Sequence, residues 1–389
     1  MTASLAAHSR ATMELSGTPF ASRPTIRPSA RPDSGPFAVA PTTRTSAADI
    51  AALKEVIALV RKGKGGAAGG VEKAIKDPVA RKLAEWVILR SGDSDIGFQR
   101  YADFIKENPA WPNVPLFRRR AENALWNDGI EDAAVLGFFA HSQPTTAKGR
   151  YVLAHALLAK GDRAGAAALV RYAWRHDDCS EAVENKVIEM FGAFLTPADH
   201  KARMERHLYD RDVEAALRAA HRLGGSSLAI ARAWAAVIRD AHNAGGLLHD
   251  VPASARKDPG YIFARVRWLR HKDKIEEAAR VMLAAPRDPQ ALIDLDEWWR
   301  ERRILVRDLL DRHDPRAAYR LAREAVTPTR DVYRADKYFT AGWIALRFLH
   351  DPKTAAALFA EIPKGSVSPH VLSRGRYWQG RAAEAMGLR

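Results

Sequence analysis

The sequence predicts an all-α fold: a superhelix of short antiparallel helix pairs, able to curve into a ring. Three observations carry this. From residue 71 onward no run of alternating β-branched residues is bounded by hairpin turns. Turn residues are followed within a few positions by alanine pairs: Gly129 precedes Ala133-Ala134, Gly161 precedes Ala166-Ala167 and Asp210 precedes Ala215-Ala216. His271 precedes Ala278-Ala279, Asp314 precedes Ala317-Ala318 and His350 precedes Ala355-Ala356-Ala357. Upstream of several turns lies a helix rich in small residues, as in Arg150 to Leu157, where Ala154 stands seven residues before Gly161.

In chain order, residues 1–46 read as a disordered or extended leader. Pro24, Pro28, Pro32, Pro36 and Pro41 block helix and sheet there, and little apolar surface offsets the ordering entropy. Ser46 reads as the cap of a first helix with an apolar stripe at Ile50, Leu53, Val56, Ile57 and Val60, so the superhelical domain spans 47–389. Gly63 to Gly70 reads as a flexible joint. It has neither the Gly-Lys-Ser/Thr ending of a phosphate-binding loop nor a strand before it. The helix pairs that follow have turn spacings drifting from about 33 to 60 residues, a degenerate, tetratricopeptide-like α-solenoid. Arg374 to Gly387 reads as the first helix of a further pair, with Tyr377, Gly380, Ala383 and Met386 at helical spacing and Gly387 as its stop. Because the chain stops at Arg389, the domain reads as truncated at its C-terminal end.

An apolar fraction of 47% is ordinary for a folded chain of 389 residues. The 61 Lys and Arg outnumber the 46 Asp and Glu, giving +15, which favours anionic partners without choosing among nucleic acid, a membrane surface and a carboxylate-bearing polymer. The basic residues are interleaved with acids, with no nucleic-acid reading motif, so nucleic acid is the least favoured of these. Cys179 is the only cysteine, which excludes an internal disulfide and a thiolate metal cluster. It reads as a small buried hydrophobe in an acidic setting, Asp177-Asp178-Cys179-Ser180, that opposes thiolate formation. No stretch reaches the roughly 20 apolar residues of a membrane span, and Met1 to Arg23 lacks the apolar centre of a secretory signal.

Catalytic signatures are absent. Glu276, Glu277, Glu297 and Glu301 sit beside Arg or Lys on polar helical faces, where an exposed ion pair explains them better than an acid catalyst. His200 and His207 could share a helix face, but no third metal ligand accompanies them, and no Gly-x-Ser-x-Gly elbow occurs. Neither a metal nor a cofactor is expected. Two basic and aromatic clusters remain as candidate glycan or partner contacts: Trp111 with Arg118 and Arg119, and Trp298-Trp299 with Arg302. Adjacent helical residues diverge by about 100°, so one of Trp298 and Trp299 can enter the core while the other lies at the rim and stacks on a sugar or base. The competing reading is that both fill wide gaps between helices and the arginines solvate the outer face.

Four segments in order resemble the N-terminal helical region of the soluble lytic murein transglycosylases. They are Trp111-Pro112-Asn113-Val114-Pro115-Leu116-Phe117-Arg118-Arg119-Arg120-Ala121-Glu122; Trp298-Trp299-Arg300-Glu301-Arg302-Arg303, running to Leu309-Leu310-Asp311 and Ala318-Tyr319; Ala341-Gly342-Trp343-Ile344-Ala345-Leu346-Arg347-Phe348-Leu349; and Arg376-Tyr377-Trp378-Gln379-Gly380-Arg381-Ala382. The resemblance implies a bacterial, periplasmic protein acting on peptidoglycan. Such lyases cleave the β-1,4 bond between N-acetylmuramic acid and N-acetylglucosamine to a 1,6-anhydro product, using one glutamate followed by Ser in a C-terminal lysozyme-like domain. No Glu here is followed by Ser, and Gly-Leu-Met-Gln does not occur, so no catalytic residue carries over and this chain alone is expected to be inactive. The expected role is to help position glycan strands, with other cell-wall proteins as further partners. The alternative is a helical-repeat scaffold that holds a partner protein without enzymatic function.

Overall fold

The computed structural model describes residues 45–93, 95–366 and 368–388, all but the first two residues of the described chain lying after the proline-rich leader, whose residues 1–44 fall outside it. Among the described residues there are twenty α-helices and no strand, so the all-α fold is observed. No helix is long and apolar enough to cross a membrane. The chain divides into two compact units, Met1–Ser91 and Gly92–Arg389.

The first unit contains α1 (Ala47–Arg61), α2 (Gly65–Glu72) and α3 (Pro78–Ser91). Ser46 caps α1 by accepting from the Asp49 N–H at 3.0 Å, as its sequence context predicts. Asp49 in turn accepts the backbone N–H groups of Lys76 and Asp77, and Asp77 caps α3. The glycine-rich stretch is not a joint: α2 runs through it. Gly65, Ala68 and Gly69 are buried where α2 packs on α1 and α3, and small side chains there permit a close approach that overrides the poor helix propensity of glycine.

The second unit continues with α4 (Phe98–Glu107), α5 (Val114–Asp128), α6 (Asp132–Phe139), α7 (Ala147–Ala159), α8 (Arg163–His176), α9 (Glu181–Phe191), α10 (Pro197–Tyr209), α11 (Val213–Leu223), α12 (Gly225–Ile238) and α13 (Ala244–Asp250). It ends with α14 (Pro259–His271), α15 (Ile275–Leu283), α16 (Leu295–Asp311), α17 (Pro315–Arg323), α18 (Asp331–Arg347), α19 (Pro352–Glu361) and α20 (Pro369–Ala385). Pairs α7/α8, α10/α11, α14/α15, α16/α17 and α18/α19 pack as hairpins, while α8, α10, α12, α14, α16, α18 and α20 each also touch the next in that series. An array of this kind buries each apolar stripe on sequence neighbours.

Four of these five hairpin turns share one construction. Helices α7, α10, α14 and α16 each end with a left-handed residue, at Gly161, Arg211, Asp273 and His313. The next residue closes a Schellman-type bond to a carbonyl five back: Asp162 to Leu157, Asp212 to His207, Lys274 to Leu269 and Asp314 to Leu309, all at 2.8–2.9 Å. Where that residue is aspartate its carboxylate then caps the following helix, as Asp162, Asp212 and Asp314 do. The sequence points to these turns correctly, although the left-handed position is Arg211 rather than Asp210 and Asp273 rather than His271. In α20 the packed side is Gly375, Trp378 and Ala382, while Tyr377, Gly380 and Met386 face outward; Gly387, at φ 75°, ends the helix as predicted.

Candidate binding cleft

The structure separates the predicted contact residues. Trp111 is half-buried, edge-on to Phe104 with ring centroids 5.7 Å apart. Arg118 lies over the Phe138 ring and 3.9 Å from Glu122, and Arg119 is exposed. Glu122 is fully buried and accepts the N–H and hydroxyl of both Thr145 and Thr146, so this segment ties α5 to the start of α7. A Cβ at Gly149 would overlap its carboxylate.

Trp298 and Trp299 are both interior, at 2% and 1% exposure, so neither forms a rim platform. Trp298 Nε1 donates to the Tyr209 hydroxyl at 2.7 Å and to the Leu292 carbonyl at 3.0 Å, and Trp299 Nε1 donates to Asp336 at 3.2 Å. Arg302 is equally buried, donating to the Met282 and Leu321 carbonyls near the ends of α15 and α17. Burial draws its pKa down to about 10. As candidate glycan contacts all three are corrected, being inaccessible: the tryptophans fill gaps between helices, as the competing reading has it, while Arg302 is buried instead of solvating the outer face. Glu301 is a further correction, because it is buried rather than exposed, with Arg270 2.6 Å and Arg267 3.9 Å away.

Cys179 is half-buried with Sγ 3.3 Å from Arg203 Nη2, and burial pushes its thiol up. Its spatial neighbour is thus a cation that the flanking aspartates conceal in the sequence. Arg203 is fully buried and donates at 2.7 Å to the equally buried Glu184, which Arg218 also contacts at 3.1 Å. Burial works against the Glu184 carboxylate, but Arg218 and Arg203 outweigh it and hold its pKa low. His200 lies edge-on to Trp174, and His207 is buried, its pKa lowered to about 4 by desolvation and then by Arg203. Among the described residues no three His, Cys, Asp or Glu converge to hold a metal.

One concavity among the described residues, around α10, involves none of the predicted contacts. Two adjoining lobes, of about 640 and 310 Å³, share Arg175, Ala202, Gln290 and Ile293. The larger adds His176, Arg206, Pro289 and Asp294, and the smaller adds Ala198, Lys201, Glu205, Pro259 and Ala291. The cleft therefore lies among the end of α8, one face of α10, the start of α14 and the segment before α16.

Each cation of the lining is held by a carboxylate. Arg175 donates through Nε to Asp199 at 2.5 Å, and Asp199 is fully buried, accepting also from the Thr196 N–H and hydroxyl in the capping box of α10. Desolvation opposes the Asp199 charge, but Thr196 and Arg175 keep its pKa below the usual range. Arg206 donates to Asp178 at 2.6 Å. Lys201 contacts Glu205 and lies 3.1 Å from Asp258; desolvation disfavours its ammonium, yet the two carboxylates hold its pKa up. Glu205 is fully buried, and burial raises its pKa.

The lip of the cleft is strained. Ile293 has φ 56° and is 42% exposed, although a β-branched residue is rarely left-handed. It sits in a γ-turn closed by the Asp294 N–H donating to the Leu292 carbonyl at 2.6 Å. Tyr209 and Trp298 both donate to that carbonyl, at 3.3 and 3.0 Å, and so fix the turn from beneath. Backbone strain held in place by buried groups is characteristic of binding sites.

No protein-family model matches the chain. No curated protein sequence matches it either.

Proposed function

We propose that this chain is a non-catalytic helical module of a lytic murein transglycosylase, which helps position peptidoglycan glycan strands in the periplasm for cleavage to 1,6-anhydromuramic acid elsewhere. One observation carries the reading. The four segments of resemblance fall on α5 and its entry, α16 and α17, α18, and α20, and several of their distinctive side chains pack these helices, whereas Arg119, Tyr377 and Gly380 face outward. Phe117, Trp298 and Trp299 are interior, and Gly342 lies so close to the Phe359 ring that a Cβ would overlap it. A likeness that includes these packing positions supports a shared architecture and carries no catalytic role. The excess of 61 basic over 46 acidic residues suits a wall polymer bearing peptide carboxylates.

The test is co-sedimentation with purified sacculi, together with mass spectrometry of the supernatant. Retention on sacculi without release of anhydro-muropeptides is the expected result. Release by this chain alone would overturn the non-catalytic reading, and failure to sediment would overturn the wall-binding one. A helical-repeat scaffold for a partner protein is the second reading, favoured by the outward Tyr377 of α20 at 61% exposure. Retention of a specific partner by the chain, with none on sacculi, would favour it.

A further inference from the structure

We propose that the cleft between α8, α10 and the 289–294 segment binds the free carboxylate end of a short peptide with small aliphatic side chains, clamped by Arg175. Arg175 lines both lobes, and among the described residues its side chain makes one hydrogen bond, from Nε to Asp199. The buried, capping-box Asp199 anchors the guanidinium at Nε and leaves Nη1 and Nη2 as a parallel pair of donors. Two parallel N–H groups match the two oxygens of a carboxylate, and the Asp199 anchor reduces the side-chain ordering left for the ligand to supply.

The remaining lining selects among anions. Lys201 and Arg206 are already neutralised by Glu205, Asp258 and Asp178, and Asp294 adds a further carboxylate at the rim. Arg175 is paired with Asp199 in the same way, so these acids repel any anion, but a doubly charged phosphate more strongly than a monoanionic carboxylate whose two oxygens match the Arg175 fork. The acids also suit a ligand with N–H donors or an ammonium farther along its length. Between the polar groups the wall is Ala198, Ala202, Pro259, Ala291 and Ile293, a surface complementary to alanine-sized side chains. Gln290 lines both lobes and brings a side-chain amide that can pair with a peptide group. The inference goes beyond the peptidoglycan reading and does not depend on it, since it rests on the cleft alone.

Isothermal titration of the full chain with tri-alanine, its C-terminal amide and inorganic phosphate tests the proposal. Tri-alanine should bind, the amide at least tenfold more weakly, and phosphate more weakly than tri-alanine. Arg175→Gln should lower tri-alanine affinity at least tenfold, and Ala202→Phe, which fills the shared part of the cleft, should abolish binding without touching a charge. Equal affinity for acid and amide, preference for phosphate, or no heat with millimolar tri-alanine would each overturn the proposal. The acid–amide comparison uses the unaltered chain, so it decides the matter even where Arg175→Gln weakens the fold. Sacculus binding is a separate readout, and its failure would leave a positive titration standing.

Discussion

The Trp298 indole N–H donates to the Tyr209 hydroxyl at 2.7 Å, joining α16 to α10 across 89 residues of sequence. Both groups also reach the Leu292 carbonyl, so one buried cluster supports the strained turn at Ile293. Trp298→Phe keeps most of the ring and removes the donor. A buried hydroxyl and carbonyl each lose a partner, and urea denaturation should show a loss of about 1–3 kcal/mol. Arg119→Ala, at an exposed site, should stay within about 0.5 kcal/mol of the parent.

The Glu184–Arg203 pair has no exposed side-chain surface on either partner. Glu184→Gln leaves the Arg203 guanidinium buried opposite a neutral amide, and a loss of about 3–5 kcal/mol is expected from breaking one side of such a pair. Circular dichroism melts at pH 7 check it. A change below about 1 kcal/mol would mean that water reaches Arg203 more freely than its burial indicates.

Acid sensitivity should begin well above the carboxylate range. His207 titrates at about 4 when folded against 6.5 as its ordinary value, because burial and then Arg203 disfavour the imidazolium. Between those values the unfolded chain binds more protons than the folded one. Stability is therefore full above about pH 6.5 and falls as pH drops toward 4. His176, His200 and His271 are shifted in the same direction by burial and add to the slope. Denaturation midpoints at pH 7.5 and 5.0 should differ, and His207→Gln should reduce the difference.

At the α16/α17 turn the left-handed residue is His313 and the cap is Asp314. His313→Gly relieves the left-handed strain and should stabilise by up to about 1 kcal/mol, offset in part by the greater freedom of the unfolded chain. Asp314→Ala removes the acceptor for the Ala317 N–H and should cost about 1 kcal/mol. Opposite signs at neighbouring positions are the diagnostic outcome in thermal melts.

Lys337 is 6% exposed, with its ammonium bonded only to the Thr327 hydroxyl at 3.3 Å. Burial, then Arg323 and Arg302, lower its pKa to about 8. The folded chain sheds this proton before the unfolded chain does, so the site opposes folding at pH 7 and the penalty fades as pH rises from 8 toward 10.5. Lys337→Met should raise stability at pH 7 by about 1–2 kcal/mol, with a smaller gain at pH 9.5.

The helical class was legible because its signals are local. Ser46 stands three residues before the N–H it caps, and Gly161 and Gly387 mark stops with a backbone geometry that glycine adopts freely. The glycine run at 63–70 misled because its helix exists through packing on α1 and α3, which no local propensity reports. Trp298 and Trp299 misled for a related reason. The reading of one core and one rim residue assumes a helix with a single buried face, whereas α16 touches α14 and α15 as well as α17 and α18. The cleft had no local signature at all. Arg175, Lys201, Asp258 and Gln290 come from separate segments, and the buried Asp199 that orients Arg175 reads in sequence only as part of a helix start.

Within the second unit the principal contacts join helices one or two places apart, and a linear array of that kind can peel from an end hairpin by hairpin. The bond from Trp298 to Tyr209 adds a longer tie, because it links α16 back to α10 within one continuous buried core. Heat or mechanical load would then open α19 and α20, which pack with α18 in a separate cluster, before that core. The cleft is formed by the end of α8, α10, the start of α14 and the segment leading into α16, so it would persist after the C-terminal hairpins had opened.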